Sequence, residues 1–264
     1  MAAVMWNDIN SALREGFLMG DDICDPVQWQ GPAPEGYTAQ NIWPSAQPEL
    51  KEALDLYYGT MMPFARSVLH LFALALGLEE TALDHLHKFP MGALRCLHYP
   101  SQQQKASEDT PGFLAHTDYS SFTLVLQHER YGSGLQVLNA DGQWIPAPVL
   151  SGASFTCNIG DYLQHLADGR LVSTVHRVVN NSGRKRISLP FFFSPDPSAV
   201  LVPVVAEGQT RKSEVYPFES SSVGQHFCQR LLDARQFHAT AKRVAGLGIP
   251  VEEWKYDFLT GGLP

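Results

Sequence analysis

The sequence has few of the features that assign a chain to a protein class at first sight. Its four cysteines form no CxxC pair, which favours reduced, mostly buried thiols over a disulfide framework or a zinc site; they are Cys24, Cys96, Cys157 and Cys228. No apolar run approaches the ~20 residues that a membrane-spanning helix requires. The first residues show no basic segment followed by an apolar stretch, so we expect no secretory signal and no membrane partner. We therefore predict a cytoplasmic protein.

Basic residues are also scarce. Lys and Arg number 19 against 27 Asp and Glu, which gives a formal net charge of −8, and no basic cluster stands out. Nucleic-acid binding depends on a clustered positive face, so we expect no nucleic-acid partner. The 264 residues, 44% of them hydrophobic, can bury a sizeable core in one large domain or in a catalytic core with a small helical annex. We expect a monomer.

The N-terminal part, residues 1–89, shows a helical pattern after a loop rich in turn-forming residues. Apolar residues recur at three- and four-residue spacing over 49–78, as in a buried amphipathic helix, and a shorter helical piece follows at 79–88. Pro63 lies inside the longer pattern and is expected to kink or split the helix, while Gly77 is expected to end it.

The central part, residues 90–205, has the pattern of a β-sheet protein. Short runs of β-forming residues are separated by Gly, Asn, Asp and Pro; these runs are 93–99, 122–127, 134–138, 153–159, 173–179 and 186–193. Strands at this spacing favour a sandwich or a jelly-roll barrel over βαβ units. The predicted fold class is α+β, a double-stranded β-helix (jelly-roll) core flanked by N-terminal helices and, over 206–264, by a C-terminal helix and tail.

Two histidines and one aspartate are candidate metal ligands. In an extended strand, the side chains of His116 and Asp118 project to the same face, with Thr117 turned away. His176 lies far along the chain on a separate strand that barrel closure can bring alongside. Two imidazoles and one carboxylate are the ligand set of non-haem Fe(II) oxygenases. By itself, the HxD pair is better explained by a surface histidine beside a turn-forming aspartate.

A second pattern, RISLPFFF, places Arg186, Ser188 and Phe192 on one face of a strand. A buried guanidinium needs an anion, and the hydroxyl two residues on makes Arg186 and Ser188 a two-point clamp for a carboxylate. An Asp or Glu of the protein itself would satisfy Arg186 equally well. Tyr99, in LRCLHYP, either adds a phenol donor to the same carboxylate or is an ordinary core tyrosine.

The order of these elements resembles one family, the 2-oxoglutarate/Fe(II)-dependent dioxygenases. The resemblance covers about residues 90–200 and is closest to the branch of isopenicillin N synthase and the plant flavonoid and gibberellin oxidases. It is carried by the stretches GFLAHTDYSSFTLVLQ, GLQVLNADGQWIPAP, FTCNIGDYLQHLADGRLVSTVHRVVNNS and KRISLPFFFSPD. The resemblance implies an oxidoreductase of secondary metabolism that oxidises a small organic molecule by hydroxylation, desaturation or ring formation, releasing succinate and CO2.

The resemblance also implies the cofactor, the co-substrates and the residues that hold them. Fe(II) would be the metal, 2-oxoglutarate the co-substrate and O2 the oxidant, with no catalytic side chain beyond the metal centre. The implied metal ligands are His116, Asp118 and His176, and the implied co-substrate residues are Arg186, Ser188 and Tyr99. Family members often carry Asn two residues before the tyrosine, where this chain has Leu97, so a supporting polar contact is expected to be absent.

Three further residues are candidates for the substrate pocket, each with a plainer alternative. Phe192 shares the face of the clamp, although core packing explains it slightly better. Arg95 shares the face of Tyr99, where it meets either a substrate carboxylate or hydroxyl or an internal ion pair. Tyr119, directly after Asp118, lines the mouth of the pocket or lies on the surface. Cys96 and Cys157 are expected to be small core residues.

The N-terminal region is shorter than in full-length family members, which carry further strands and a segment that covers the substrate. This departure leaves two alternatives to an active dioxygenase. One is a truncated, catalytically idle binding module. The other is an oxidase of the same fold that does not consume 2-oxoglutarate, since such relatives retain the Arg-x-Ser motif. A zinc hydrolase is not expected, because its general-base motif is absent.

Overall fold

The computed structural model describes residues 15–20, 41–101, 112–128, 134–151, 154–180, 183–204 and 221–233, with residues 206, 208, 210 and 246. Three helices lie in these ranges: α1 (Pro48–Ala75), α2 (Asp161–Leu166) and α3 (Val223–Asp233). The strands there are β1 (Glu15–Gly20), β2 (Met91–Tyr99), β3 (Phe113–His116), β4 (Phe122–Gln127), β5 (Leu135–Leu138), β6 (Trp144–Pro146), β7 (Phe155–Ile159), β8 (His176–Val178) and β9 (Arg186–Ser194). Every strand pair is antiparallel. The mixed helix-and-sheet class expected from the sequence is confirmed.

The strands form two sheets. The major sheet has the order β1-β2-β9-β4-β7, and the minor sheet has the order β3-β8-β5-β6. In the major sheet, β9 lies between β2 and β4, although it comes roughly 60 residues or more after either of them in the chain. The two halves of the sequence are therefore interleaved, and residues far apart in the chain become neighbours across strands.

The outer face of the major sheet packs against α1. Residues at helical spacing along α1 are buried, among them Leu54, Met61 and Leu69, and they join Phe122 and Phe191 of the sheet in the largest apolar cluster. Burial of these side chains is worth roughly 1.5–3 kcal/mol each, which explains why this long helix forms. The helix covers the outer face of the major sheet, and the inner face lines the candidate site.

Helix α1 continues through Pro63 and is not split there. Pro63 lies on the exposed side of the helix, opposite the packed face, so the sheet contacts hold the turns before and after it together. Gly77 follows the end of the helix with φ of 75°, a left-handed conformation that glycine adopts without strain, which confirms the expected stop. Of the helical piece expected at 79–88, the structure forms one 3-10 turn, Asp84–Leu86.

Side chains of both sheets meet in a smaller cluster. Leu97 and Tyr99 of β2 contact Leu135 of β5 and Val178 of β8, with Phe113 of β3 packed against them. The inner face of the major sheet therefore faces the minor sheet, and the candidate site lies between them. Among the described helices, none combines the length and the apolar character that crossing a membrane requires.

Two expectations for the cysteines have different outcomes. Cys96 on β2 is half-buried and packs against the large cluster, as expected. The expectation of a core position for Cys157 is wrong, because its side chain is exposed on β7. Among the described strands, β7 is the last of its sheet, with no neighbour on its far side. Cys24 and the side chain of Cys228 lie outside the described residues.

Candidate metal centre and co-substrate site

The three predicted metal ligands lie together. His116 is the last residue of β3 and His176 the first residue of β8, and the two stand directly opposite each other in the minor sheet. The Nε2 atom of each histidine lies 3.6 Å from a carboxylate oxygen of Asp118, Oδ1 for His116 and Oδ2 for His176. The three donor atoms are all within 4.8 Å of one another, and no other such cluster of three occurs in the part of the chain that the structure describes.

Backbone carbonyls orient both imidazole rings. His116 Nδ1 lies 2.8 Å from the carbonyl oxygen of Leu114, and His176 Nδ1 lies 3.0 Å from that of Thr174. Because a carbonyl oxygen only accepts, Nδ1 carries the proton in each ring and Nε2 presents its lone pair to the centre of the cluster. Burial, together with the neighbouring His176, lowers the pKa of His116 to about 4, against the opposing effect of Asp118. This imidazole is therefore neutral and able to bind a metal at physiological pH.

The Asp118 carboxylate is also held by a neighbour. Asp118 is buried, and Thr123 at the start of β4 donates its hydroxyl to Oδ2 at 2.7 Å. Hydrogen bonds of this kind to metal ligands orient the ligand and tune its affinity. Two imidazoles and one carboxylate on one side, with Nδ1 of each ring and Asp118 Oδ2 already hydrogen-bonded, fit Fe(II) of the two-histidine, one-carboxylate type.

The sequence-based reason for the convergence of His116 and Asp118 is wrong in one respect. Strand β3 ends at His116, so alternation along a strand does not orient Asp118. A turn over 117–121 does so, and the first N–H groups of the α2 region donate to it: Gly160 to Ser121, Asp161 to Asp118 and Tyr162 to Ser120. Thr117 turns away, as expected, and donates its hydroxyl to the Asp161 carboxylate at 3.3 Å.

Gly160 permits this close packing. A Cβ atom at Gly160 would lie 2.1 Å from the carbonyl oxygen of Ser120, so a larger residue displaces the turn that carries Asp118. The structure shows that Asn158 belongs to β7 and that Gly160 and Asp161 support the metal-ligand turn. A glycine directly before a short helix was the available signal, but nothing in the sequence linked it to Asp118.

The predicted clamp lies on the inner face of the major sheet. Tyr99 of β2 stands opposite Arg186 of β9, and Leu97 stands opposite Ser188, so strand register alone groups Tyr99, Arg186 and Ser188. The Arg186 guanidinium donates to Ser188 Oγ at 3.2 Å and lies 4.8 Å over the Tyr99 ring. Leu97 takes part in the smaller apolar cluster. Of the three predicted residues, Arg186 therefore contacts both Ser188 and Tyr99.

Arg186 is a buried cation, 2% exposed, and no carboxylate of the described residues pairs with it. Burial lowers the pKa of Arg186, and the nearby Tyr99 phenol opposes that change. Its Nε atom has no hydrogen-bond partner in the part of the chain that the structure describes. An unpaired buried cation is costly, so this arrangement is suited to an external anion. Gly134 leaves space beside Arg186, because a Cβ there would approach Arg186 Cδ to 3.1 Å.

Of the three substrate-pocket candidates, two lie together. The Arg95 guanidinium lies 5.5 Å from the centre of the Phe192 ring, and Arg95 acts electrostatically on His116. Tyr119 instead packs beside the cluster formed around α2 and α3, with its ring 5.5 Å from that of Phe227. The structure therefore places Arg95 and Phe192 near the metal ligands and ties Tyr119 to the C-terminal helix.

Comparison with known proteins identifies the family. The family model described as the 2OG-Fe(II) oxygenase superfamily matches residues 90–195, which contain every strand of both sheets except β1. A solved structure of a protein of Caulobacter crescentus assigned to the 2OG-Fe(II) oxygenase family is 30% identical, with a TM-score of 0.67, over 83% of this chain and 70% of that chain. The chain belongs to the 2OG-Fe(II) oxygenase superfamily.

Two curated relatives agree with this assignment. A 2-oxoglutarate-Fe(II) type oxidoreductase of Emericella nidulans, hxnY, is 39% identical over 71% of this chain and 54% of the relative. A homoarginine-6-hydroxylase of Arabidopsis thaliana, 2-ODD-C23.2, is 34% identical over 73% of this chain and 53% of the relative. The chain thus spans about half the length of these curated relatives.

Membership in the 2OG-Fe(II) oxygenase superfamily confirms the family expected from the sequence. It also confirms the expected cofactor set of Fe(II), 2-oxoglutarate and O2, which agrees with the donor set of the metal cluster. Two supporting residues were not predicted from the sequence. Thr123 donates a hydrogen bond to Asp118, and Gln127 accepts one from Arg186 Nη2 at 2.5 Å. Their positions follow from the pairing of β4 with β9, which no local pattern reveals.

Proposed function

We propose that this chain catalyses Fe(II)- and 2-oxoglutarate-dependent oxidation of a small organic metabolite. One observation carries the proposal: a His2Asp cluster and a buried guanidinium that no carboxylate of the described residues pairs with occur in the same two-sheet core. Bound Fe(II) supplies the activation of O2, coupled to decarboxylation of 2-oxoglutarate. For a hydroxylation, substrate, 2-oxoglutarate and O2 give hydroxylated substrate, succinate and CO2, so that the hydroxylated substrate and succinate each receive one oxygen atom of O2.

The chain's own residues would bind and orient the reactants. His116, Asp118 and His176 would hold Fe(II) through Nε2 and carboxylate oxygens, supported by backbone carbonyls and Thr123. Arg186 and Ser188 would hold the distal carboxylate of 2-oxoglutarate by charge and hydrogen bonds. Tyr99, beside the guanidinium, would complete that subsite.

Arg95 and Phe192 are proposed as substrate residues. They lie on the same sheet face as the clamp. Phe192 supplies an aromatic surface and Arg95 a positive charge, an environment that suits an organic molecule with a polar or anionic group. Tyr119 is proposed to act at the edge of the pocket, where it connects the metal-ligand turn to α3. Hydroxylation, desaturation and ring formation are all compatible with this pocket.

We propose a jelly-roll arrangement for the two facing sheets, in the isopenicillin N synthase-like branch. The proposed divisions are a helical N-terminal region at 1–89, the Fe(II)/2-oxoglutarate core at 90–205 and a C-terminal helix and tail at 206–264. Contacts of α1 with the major sheet and of Tyr119 with Phe227 support packing of both flanking parts on the core.

The decisive experiment is an assay for succinate with Fe(II), 2-oxoglutarate, O2 and a broad panel of small metabolites. Substrate-stimulated release of succinate is the expected result. Stoichiometric binding of metal and 2-oxoglutarate without turnover would indicate an idle binding module. O2 consumption that does not depend on added 2-oxoglutarate would indicate an oxidase of the same fold.

A further inference from the structure

Gln127 carries a buried side-chain amide to which the proposed function assigns no role. It is the last residue of β4 and stands opposite Ser188 of β9, so its side chain shares the inner face with Arg186 and Ser188. The residue is 7% exposed. Its Oε1 atom accepts a hydrogen bond from Arg186 Nη2 at 2.5 Å, while its Nε2 atom is buried and has no hydrogen-bond partner among the described residues.

The orientation of this amide follows from the chemistry of its neighbour. A guanidinium only donates hydrogen bonds, so the amide oxygen must face Arg186 and the amide nitrogen must point elsewhere. Gln127 Nε2 and Arg186 Nε are then two unsatisfied donors in one buried subsite. Leaving such donors unpaired is costly, and the described residues offer neither of them an acceptor, which points to a bound ligand as the acceptor.

The uncharged nature of Gln127 is informative. A carboxylate at this position would neutralise Arg186 within the protein, and a bound dianion would then be repelled. An amide holds the guanidinium through its oxygen without cancelling the positive charge. It also offers two donors of its own, which suits an anionic acceptor.

We propose that Gln127 is a further co-substrate residue, whose Nε2 donates to the distal carboxylate of 2-oxoglutarate while Oε1 orients Arg186. The proposal rests on the proposed function and extends it to the selection of a dicarboxylate 2-oxo acid. In this proposal, the distal carboxylate contacts Arg186, Ser188 and Gln127. Arg186 supplies the positive charge, and Ser188 and Gln127 supply neutral hydrogen-bond donors.

The test compares the binding of two 2-oxo acids to the Mn(II)-loaded full chain without O2, by calorimetry or by tryptophan fluorescence. 2-Oxoglutarate carries the distal carboxylate, and 2-oxopentanoate has the same number of carbons with a methyl group in its place. The variants are Gln127→Leu, Gln127→Met and Gln127→Glu. The matched control is Gln136→Leu, which removes another glutamine that accepts from an arginine, Arg177 Nε at 2.8 Å on the minor sheet.

We expect Gln127→Leu and Gln127→Met to weaken 2-oxoglutarate binding by about tenfold to a hundredfold, the range for lost hydrogen bonds to charged groups. Binding of Mn(II) and of 2-oxopentanoate should not change. Gln127→Glu should weaken 2-oxoglutarate binding more than either apolar variant, because its carboxylate competes for Arg186. Gln136→Leu should bind 2-oxoglutarate as the wild type does.

Two results would overturn the inference. One is unchanged 2-oxoglutarate affinity in a Gln127 variant that binds Mn(II) normally. The other is an equal loss of affinity for both acids, which means that Gln127 only supports the fold. Failure of the wild type to bind 2-oxoglutarate at all is a different result, because it overturns the proposed function itself.

Discussion

His116 and His176 are held in the same way, each by the backbone carbonyl of the residue two positions before it. The two rings face each other across β3 and β8 with centroids 4.3 Å apart, and Leu114 and Thr174 supply the carbonyls. Each histidine is therefore fixed in its tautomer by the backbone just before it, independently of the other and of any metal. The site is preorganised to receive a metal ion.

Removal of a metal ligand should abolish metal-dependent activity. We expect His116→Ala and Asp118→Ala to lose stoichiometric Fe(II) binding and all succinate release, because two remaining donors do not hold the metal firmly. Metal analysis after dialysis and a succinate assay measure the two effects. His85→Ala, which changes an exposed histidine of the 3-10 turn, is the control. Full activity in either ligand variant would exclude the cluster as the metal centre.

Thr123→Val should weaken metal binding without removing a ligand. The substitution keeps the shape of the side chain and deletes the 2.7 Å hydrogen bond to Asp118 Oδ2. Loss of such a supporting contact typically lowers metal affinity by about 10- to 100-fold. Titration with Mn(II) or Co(II) measures the change. Thr60→Val, on the exposed side of α1, is the matched control, and equal affinities in the two variants would contradict the prediction.

Arg186→Lys should weaken 2-oxoglutarate binding while leaving metal binding intact. Lysine keeps the positive charge but loses the planar fork that reaches Ser188 and Gln127 at the same time. We expect the KM for 2-oxoglutarate to rise by at least about tenfold, with a smaller change in kcat. Arg177→Lys, which changes an arginine stacked on Trp144, is the control. An unchanged KM would remove Arg186 from the clamp.

Gly160→Ala should damage both stability and the metal site. The added Cβ would clash with the Ser120 carbonyl at 2.1 Å, and backbone cannot move as freely as a flexible side chain. We expect a loss of about 1–3 kcal/mol in the free energy of unfolding, with weaker metal binding because the turn carrying Asp118 shifts. Gly246→Ala, with no neighbouring atom within 4 Å of its Cβ, is the control. A variant as stable as the wild type would show that the turn adjusts freely.

His87 should make stability depend on pH below neutrality. It is fully buried, its Nδ1 donates to the Leu83 carbonyl and its Nε2 accepts from Ser121 Oγ, and burial lowers its pKa to about 4. Because the pKa of an unfolded histidine is about 6.5, the unfolded chain takes up the proton first as pH falls. The stabilisation from His87 is therefore complete above pH 6.5 and is lost between there and about pH 4, a change of about 3 kcal/mol.

Urea unfolding at several pH values checks this prediction by difference. His87→Gln stays neutral over the whole range, so the gap in unfolding free energy between wild type and variant should shrink towards pH 4. His85→Gln, at an exposed position, should leave the pH profile of the wild type unchanged. A gap that stays constant from pH 7 to pH 4 would show that His87 does not contribute to the acid sensitivity.

The sequence predicted the strands of the site better than their arrangement. The run 122–127 coincides with β4 and the run 186–193 with most of β9, because both contain dense β-branched and aromatic residues. Strands β1, β3 and β6 lie outside the predicted runs, although an extended segment was expected at His116 of β3. Strand β1 ends in Leu-Met-Gly without clear alternation, and β6 spans only Trp144–Pro146. Such strands form because a neighbouring strand offers hydrogen bonds, and this influence is absent from local sequence.

The predicted ligands converge because long-range pairing places them opposite one another. Alternation along β9 correctly grouped Arg186 with Ser188, since that relation is local. The roles of Thr123 and Gln127 depend on which strands become neighbours, and the turn at Asp118 depends on contact with Gly160. Family resemblance located the motif residues, whereas the supporting residues are determined by which strands and turns become neighbours in the folded chain.

The metal cluster and the carboxylate clamp stand on opposite sheets. A molecule that reaches from His116 and His176 to Arg186 therefore links the minor sheet to the major sheet. Because a ligand that binds only the assembled state raises the free energy of opening, the short strands β3 and β8 should exchange their amide hydrogens more slowly as the co-substrate concentration rises. The co-substrate would thus also stabilise the minor sheet, which forms one side of its own binding site.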